Sequence, residues 1–185
     1  MKKLLLLAAV ISGTMSYQAQ ETAPENVRQN DVMISPIELI AIPLLNVSYE
    51  RLINENSGVG INGMFYFGDD NADNFDEDDS SMTQISPYYR MYFGRKYASG
   101  FFVEGFVPIT MTTDYYYYFN SPDPSQVIDK RTTIGIGVGF GGKWVARKNI
   151  IFEASMGIAR RFGEAKYYDS SNITGKGMLG IGYRF

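Results

Sequence analysis

Residues 176–185 read KGMLGIGYRF, and this stretch decides how the whole chain is read. Leu179, Ile181, Tyr183 and Phe185 occupy every second position, with Lys176 and Arg184 on the alternate face. A period of two is the strand signature, because successive side chains leave a pleated strand on opposite sides. The apolar alternation also runs to the final residue, where soluble domains usually end in a few polar ones. A strand that closes a barrel at a membrane interface is expected to stop in this way.

The same period recurs upstream. GVGINGMFYF (58–67) sets Val59, Ile61, Phe65 and Phe67 against Asn62 and Tyr66. MTQISPYYRMYF (82–93) sets Ile85, Pro87, Tyr89, Met91 and Phe93 against Gln84, Ser86, Arg90 and Tyr92. In FFVEGFVPITMT (101–112), Phe101, Val103, Val107, Ile109 and Met111 oppose Glu104, Thr110 and Thr112. TIGIGVGFGGKW (133–144) alternates Ile134, Ile136, Val138, Phe140 and Trp144 with glycines and Lys143. NIIFEASMGIARRF (149–162) sets Ile150, Phe152, Ala154, Met156 and Ile158 against Glu153, Ser155 and Arg161. Helical periodicity is scarce throughout, and no apolar run after the leader is long enough for a membrane-spanning helix.

The connections alternate in character. NENSG (54–58), GRKYASG (94–100) and RKN (147–149) are short; 69–81, 114–130 and 163–173 are long and polar. Short turns on one side and long loops on the other are how outer-membrane barrels are built. Seven strands run from LLNVSYERLI to the C-terminus, and DVMISPIEL (31–39), turning back near Pro43, supplies an eighth. The facing of this first strand is open, since Met33 and Ile37 compete with Val32 and Ile34.

Charge placement separates a membrane barrel from a soluble one. Lys143 and Glu153 are equidistant from the RKN turn, and Arg90 and Glu104 from Tyr97, so each hairpin sets opposite charges across from one another on its polar face. In a barrel too narrow for bulk water, inward charges must pair. The expected lumen network is Glu50, Arg90, Glu104, Lys143, Glu153, Arg161, Lys176 and Arg184. Tyr49, Phe93, Phe101, Trp144, Tyr183 and Phe185 collect at strand ends on the apolar face, as an aromatic girdle at the headgroup level does. A lipocalin-like soluble barrel is the rival, with its apolar face turned inward.

The N-terminal residues MKKLLLLAAVISGTMSYQAQ carry a basic region, a short apolar run and a small residue, Ala19, where a signal peptide would be cut. Residues 1–19 are therefore expected to be removed and 20–30 to form a short periplasmic leader. The net charge of −3 becomes about −5 without Lys2 and Lys3, which argues against a nucleic-acid partner. The chain contains no cysteine, so it has no disulfide framework or thiolate metal site, and no histidine, the commonest general base.

Two motifs carry a family resemblance. The ending aromatic-x-Phe, here Tyr183, Arg184 and Phe185, resembles the C-terminal signal read by the outer-membrane assembly machinery. NVSYERL (46–52), after an apolar, proline-containing strand, resembles the opening hairpin of a family of small outer-membrane barrels of unknown function, within the wider OmpA/OmpX-type group. The resemblance spans nearly the whole mature chain. It implies a location and a fold, and brings no active site with it.

Other stretches invite chemistry and mostly fail its requirements. GVGFGG (137–142) matches G-x-G-x-x-G by letter, but its glycines alternate inside a strand instead of sitting at a strand-to-helix turn. Gly135, Gly137, Gly139 and Gly141 read better as small lumen positions beside Tyr88, Tyr92 and Phe106. DDNADNFDEDD (69–79) has seven carboxylates in eleven residues, and Asp69, Asn71 and Asp73 have calcium-loop spacing. The glycine and terminal glutamate of such a loop are missing. A solvated loop, or cation bridging to lipopolysaccharide phosphate, is left. DYYYYFNSPDP (114–124) is tyrosine-rich, a composition suited to recognition. Asp69, Asp73, Asp76, Tyr115, Tyr116, Tyr117 and Tyr118 are the candidate loop contacts. Serine-type hydrolysis lacks its base, and no carboxylate pair stands at a catalytic spacing.

The sequence thus predicts an all-β, eight-stranded antiparallel up-and-down transmembrane barrel over 31–185, in the outer membrane of a Gram-negative bacterium. Expected partners are outer-membrane lipid, lipopolysaccharide and, through the last strand, the barrel-assembly machinery; nucleic acid is excluded, no cofactor is implied, and the loop ligand is left open. The first functional reading is a non-enzymatic barrel with a filled lumen, serving envelope structure or surface interaction through its outer loops. A narrow channel, marked by the lumen glycines, is the alternative; a soluble periplasmic lipid-binding barrel is the third.

Overall fold

A computed structural model describes residues 28–67, 81–117, 126–162 and 172–185. Its elements are β1 (Asn30–Ile34), α1 (Pro36–Ala41), β2 (Leu44–Asn54), β3 (Ser57–Tyr66), β4 (Ser81–Tyr92), β5 (Gly100–Phe106), β6 (Ile109–Tyr117), β7 (Gln126–Val145), β8 (Ile150–Phe162) and β9 (Ile173–Arg184). Apart from β5 and β6, each strand pairs antiparallel with the next, and β9 returns to β1 with Arg184 opposite Asp31 and Ile181 opposite Ile34. β5 and β6 lie end to end between β4 and β7, so nine segments build an eight-stranded closed barrel.

The interruption between β5 and β6 falls at Val107 and Pro108. Proline has no N–H to give the ladder, yet its carbonyl still accepts from Gly135 N–H at 2.8 Å, which holds the two pieces in one line. Pro36 acts more strongly. The first strand was expected to continue to Leu39; it ends at Ile34, and Pro36 begins a helix, where a missing N–H costs nothing. The facing left open by the sequence resolves with Val32 and Ile34 outward and Asp31 and Met33 buried inward.

At one end, hereafter the turn end, hairpins are tight. Asn54 Oδ1 accepts from Asn56 N–H at 2.8 Å across the β2–β3 turn, a local bond that favours asparagine there. Lys148 and Asn149, with φ of 62° and 63°, reverse the chain between β7 and β8. At the other end, the expected long loop 114–130 is partly strand: Tyr117 pairs with Gln126 and Asp114 with Asp129. The segments 69–79 and 163–171 of the expected loops lie outside the described residues or largely so.

Among the described side chains, burial alternates along the wall strands, and its sign is inverted relative to a soluble protein. Ile136, Val138 and Phe140 of β7 and Met156 and Ile158 of β8 are exposed, whereas Glu50, Arg90, Lys143 and Glu153 are buried. Reading up from the turn end, an apolar layer of Leu52, Tyr92, Ala98 and Phe102 comes first. Charged residues follow, then Tyr88, Phe106 and Ala159, then a polar layer of Asn46, Asn62, Gln84, Ser86 and Thr110. The order follows from β4 alone, which presents Tyr92, Arg90, Tyr88, Ser86 and Gln84 inward in succession.

Lumen glycines admit this filling. A Cβ at Gly137 would stand 2.5 Å from the Phe106 ring and 2.6 Å from Ala159 Cβ, and one at Gly141 would meet the Phe102 ring at 2.7 Å. Space left by the glycines of β7 is therefore occupied by rings from β5.

Candidate functional site

The charged layer is built from seven strands. Arg90, midway along β4, lies opposite Glu104 of β5, and its Nε donates to Glu104 Oε2 at 2.8 Å. From across the barrel, Glu153 of β8 accepts two further bonds, from Nη1 at 2.7 Å and Nη2 at 2.8 Å. Nη1 also reaches Glu50 Oε2 at 3.1 Å. One guanidinium thus serves three carboxylates with four hydrogen bonds, and the parallel pair to Glu153 is a use of its planar fork that an ammonium could not copy.

Lys143 takes the next position. It lies opposite Glu153 in the β7–β8 ladder, but its Nζ donates chiefly to Glu50 Oε2 at 2.5 Å and Asp31 Oδ2 at 3.0 Å, with Glu153 Oε2 at 3.9 Å. Arg184 grips Asp31 with Nε and Nη2 at 2.8 and 2.9 Å. Its remaining donors go to the carbonyls of Tyr97 and Ala98, both at 2.9 Å, which fastens the β4–β5 turn under the barrel. Lys176 Nζ pairs with Glu104 Oε1 at 2.7 Å.

Aromatic faces complete the coordination. The Arg90 guanidinium lies 4.4 Å from the Tyr88 ring centre and 4.2 Å from that of Phe102. Lys176 lies 4.4 and 4.8 Å from Tyr88 and Phe106. A ring face offers a desolvated cation negative potential where no oxygen can reach. Tyr92 donates to Glu50 Oε1 at 2.6 Å, giving that carboxylate a neutral partner as well.

Seven of the eight residues expected in the lumen network meet in this cluster: Glu50, Arg90, Glu104, Lys143, Glu153, Lys176 and Arg184. Arg161 shares their inward parity but stands opposite Gly135, toward the loop end of β8. Parity carries no height, so the sequence grouped it with the others. Asp31 is the residue sequence reasoning missed. A signal for it existed: the expected set held five cations and only three carboxylates, an imbalance that a closed interior does not tolerate. With Asp31, the buried charges number four acids (Asp31, Glu50, Glu104, Glu153) and four cations (Arg90, Lys143, Lys176, Arg184) among the described residues.

The expected girdle residues Tyr49, Phe93, Phe101, Trp144, Tyr183 and Phe185 are all exposed on the outer surface. Phe93 and Phe101 stack across β4 and β5 with centroids 6.1 Å apart, and Tyr183 OH accepts from Arg28 at 2.7 Å. Of the candidate loop contacts, Tyr115, Tyr116 and Tyr117 lie on β6 in register with Ile128, Val127 and Gln126. Asp69, Asp73, Asp76 and Tyr118 lie outside the described residues.

No family model and no curated protein matches the chain. Among solved structures, it is similar to the N-terminal β-barrel domain of Pseudomonas aeruginosa OprF, with 16% identity, a TM-score of 0.45, and coverage of 86% of this chain and 98% of that one. It is also similar to Neisserial surface protein A, with 15% identity, a TM-score of 0.46, and 85% and 95% coverage. The Yersinia pestis outer membrane protein Ail shows 17% identity, a TM-score of 0.45, and 85% and 99% coverage.

Proposed function

We propose that the chain is an outer-membrane barrel of a Gram-negative envelope that acts without catalysis, as a structural or surface-interaction element with a filled lumen. The inverted burial carries this reading: balanced charges inside, and Ile, Val, Phe and Trp side chains exposed around the wall. In water that outer surface would cost about 25 cal/mol for each Å² of apolar area, whereas in hydrocarbon it costs nothing. In this reading residues 1–19 are removed on export, and the turn end, with the final strand, faces the periplasm. The last strand is what the assembly machinery engages. The tyrosine-rich and acidic loop segments face outward, toward lipopolysaccharide or a partner.

Trp144 is the chain's one tryptophan, it is 56% exposed, and it belongs to the expected girdle. In reconstituted vesicles, its fluorescence should be quenched more by lipids brominated near the headgroup than by lipids brominated near the chain ends. Absence of quenching by both would sink the membrane reading and return the soluble barrel.

The filled lumen is tested in planar bilayers, where no stable conductance steps are expected above the leak of the lipid. A Cβ at Gly139 would stand 2.8 Å from Glu104 Oε1 and 2.9 Å from the Met156 carbonyl. Stable steps in the wild type that Gly139→Leu abolishes would replace the filled barrel with a narrow channel.

A further inference from the structure

β1 stops at Ile34, opposite Ile181 of β9 and Val47 of β2. Beyond that height the wall lacks a stave, and residues 173–180 of β9 have no β1 residue in register. Asn30 and Phe185 exchange both backbone bonds at the turn end, so odd-numbered residues of β9 direct their backbone groups to this side. Along the seam, side chains replace the missing strand. Leu179 O accepts from Ser35 Oγ at 3.1 Å, Gly177 O from Asn46 Nδ2 at 2.6 Å, and Gly175 O from Gln84 Nε2 at 3.3 Å.

α1 lies against β2 and β9 at this opening with none of its side chains buried, and Ile40 is 87% exposed. Its polar attachment is Glu38 Oε2, which accepts from Asn46 Nδ2 at 2.6 Å. On the outer surface of β9, the seam is floored by Gly175 and Gly177. A Cβ there would meet nothing nearer than Gly157 O at 3.1 Å and Ser155 O at 3.6 Å.

Behind the seam, Asn62 donates to Asn46 Oδ1 at 2.6 Å, and Ser86 is the register partner of Asn62. Both residues are buried, at 4% and 0% exposure, yet Asn62 Oδ1 and Ser86 Oγ lack a hydrogen-bond partner among the described residues. Buried polar atoms are nearly always paired. Two orphans in register, linked through Asn46 to the rim of an opening, mark a place that receives a polar group.

We propose that this seam is a lateral binding site for an amphiphile of the surrounding leaflet whose headgroup donates hydrogen bonds. The head passes beside α1 to Asn62 and Ser86, with the Glu38 carboxylate as a further acceptor at the threshold. Its acyl chain stays outside, on the glycine floor and against Ile37, Leu39 and Ile40. An amide oxygen and a carboxylate select hydroxyl or ammonium donors and give a choline head, which has no N–H or O–H, nothing to bind. The inference rests on the membrane reading above and deepens it.

The test uses the full mature chain, isotope-labelled, in dodecylphosphocholine micelles, titrated with dodecyl maltoside. The two detergents share a chain and differ in whether the head can donate. The side-chain amide signals of Asn46 and Asn62 should shift and saturate. Gly177→Phe fills the outer groove without removing a polar group, and it should abolish the shift; Asn62→Leu should raise the half-saturating concentration at least tenfold. Folding of each variant is checked by its heat-dependent migration on SDS gels. No shift in the wild type, an unchanged shift in folded Gly177→Phe, or an equal shift with maltose lacking the chain would each overturn the proposal. Trp144 quenching reports on the membrane reading independently, so the two failures are distinguishable.

Discussion

Arg90→Met is expected to destabilise the folded barrel by about 5 kcal/mol, the upper end of what breaking a buried ion pair costs. Methionine fills most of the volume but leaves Glu50, Glu104 and Glu153 around an uncharged centre, with only Lys143 and Lys176 to share among them. The carboxylates cannot turn to water, because Phe102 and Tyr92 close the layer on one side and Tyr88 and Phe106 on the other. Urea unfolding in lipid vesicles, followed by Trp144 fluorescence, measures the loss. Lys176→Met breaks one ion pair, to Glu104, and should cost clearly less. Combining Arg90→Met with Glu153→Gln should recover part of the Arg90→Met loss, since one of the stranded charges is then gone. A variant within about 1 kcal/mol of wild type would mean that the layer is hydrated and that its ion pairs contribute little.

Gly182→Leu is expected to prevent closure of the barrel altogether. Gly182 points inward on β9, opposite Met33 of β1. A Cβ there would overlap the Val32 carbonyl oxygen and the Met33 side chain. A side chain can change rotamer, but the Val32 carbonyl belongs to the ladder that joins the first strand to the last. The chain must therefore give up that register or shift β1 bodily, and β1 has only five residues with which to hold on. Overpacking ordinarily costs about 1–3 kcal/mol; here it falls on the shortest and closing strand. Gly105→Leu is the matched control, since a Cβ at Gly105 meets nothing within 4 Å. On unboiled SDS gels, Gly105→Leu should keep the folded band and Gly182→Leu should lose it. Two variants with the same folded band would show that β1 can be re-seated without cost.

The alternation of Leu179, Ile181, Tyr183 and Phe185 was enough to orient the last strand, because a period of two leaves only two facings and the apolar face is recognisable. The pairings Lys143 with Glu153 and Arg90 with Glu104 were legible for a related reason. Each pair spans one short hairpin, and the turn sets the register across it. Pro36 and Pro108 were visible too, but their consequences were not. A proline in a strand pattern signals an edge, a break or a helix start alike, and only the neighbours decide among them.

What sequence by itself determined, then, is the set of strands, the inward and outward sides of most of them, and the neighbours joined by tight turns. Tertiary structure alone decided the rest. Arg90 and Glu153 sit on opposite walls, Asp31 reaches both Lys143 and Arg184, and β1 ends early enough to leave a seam beside β9. These relations depend on the height at which each inward residue stands once the sheet has closed. Strand tilt and stagger set that height collectively, so no local stretch of the chain contains it.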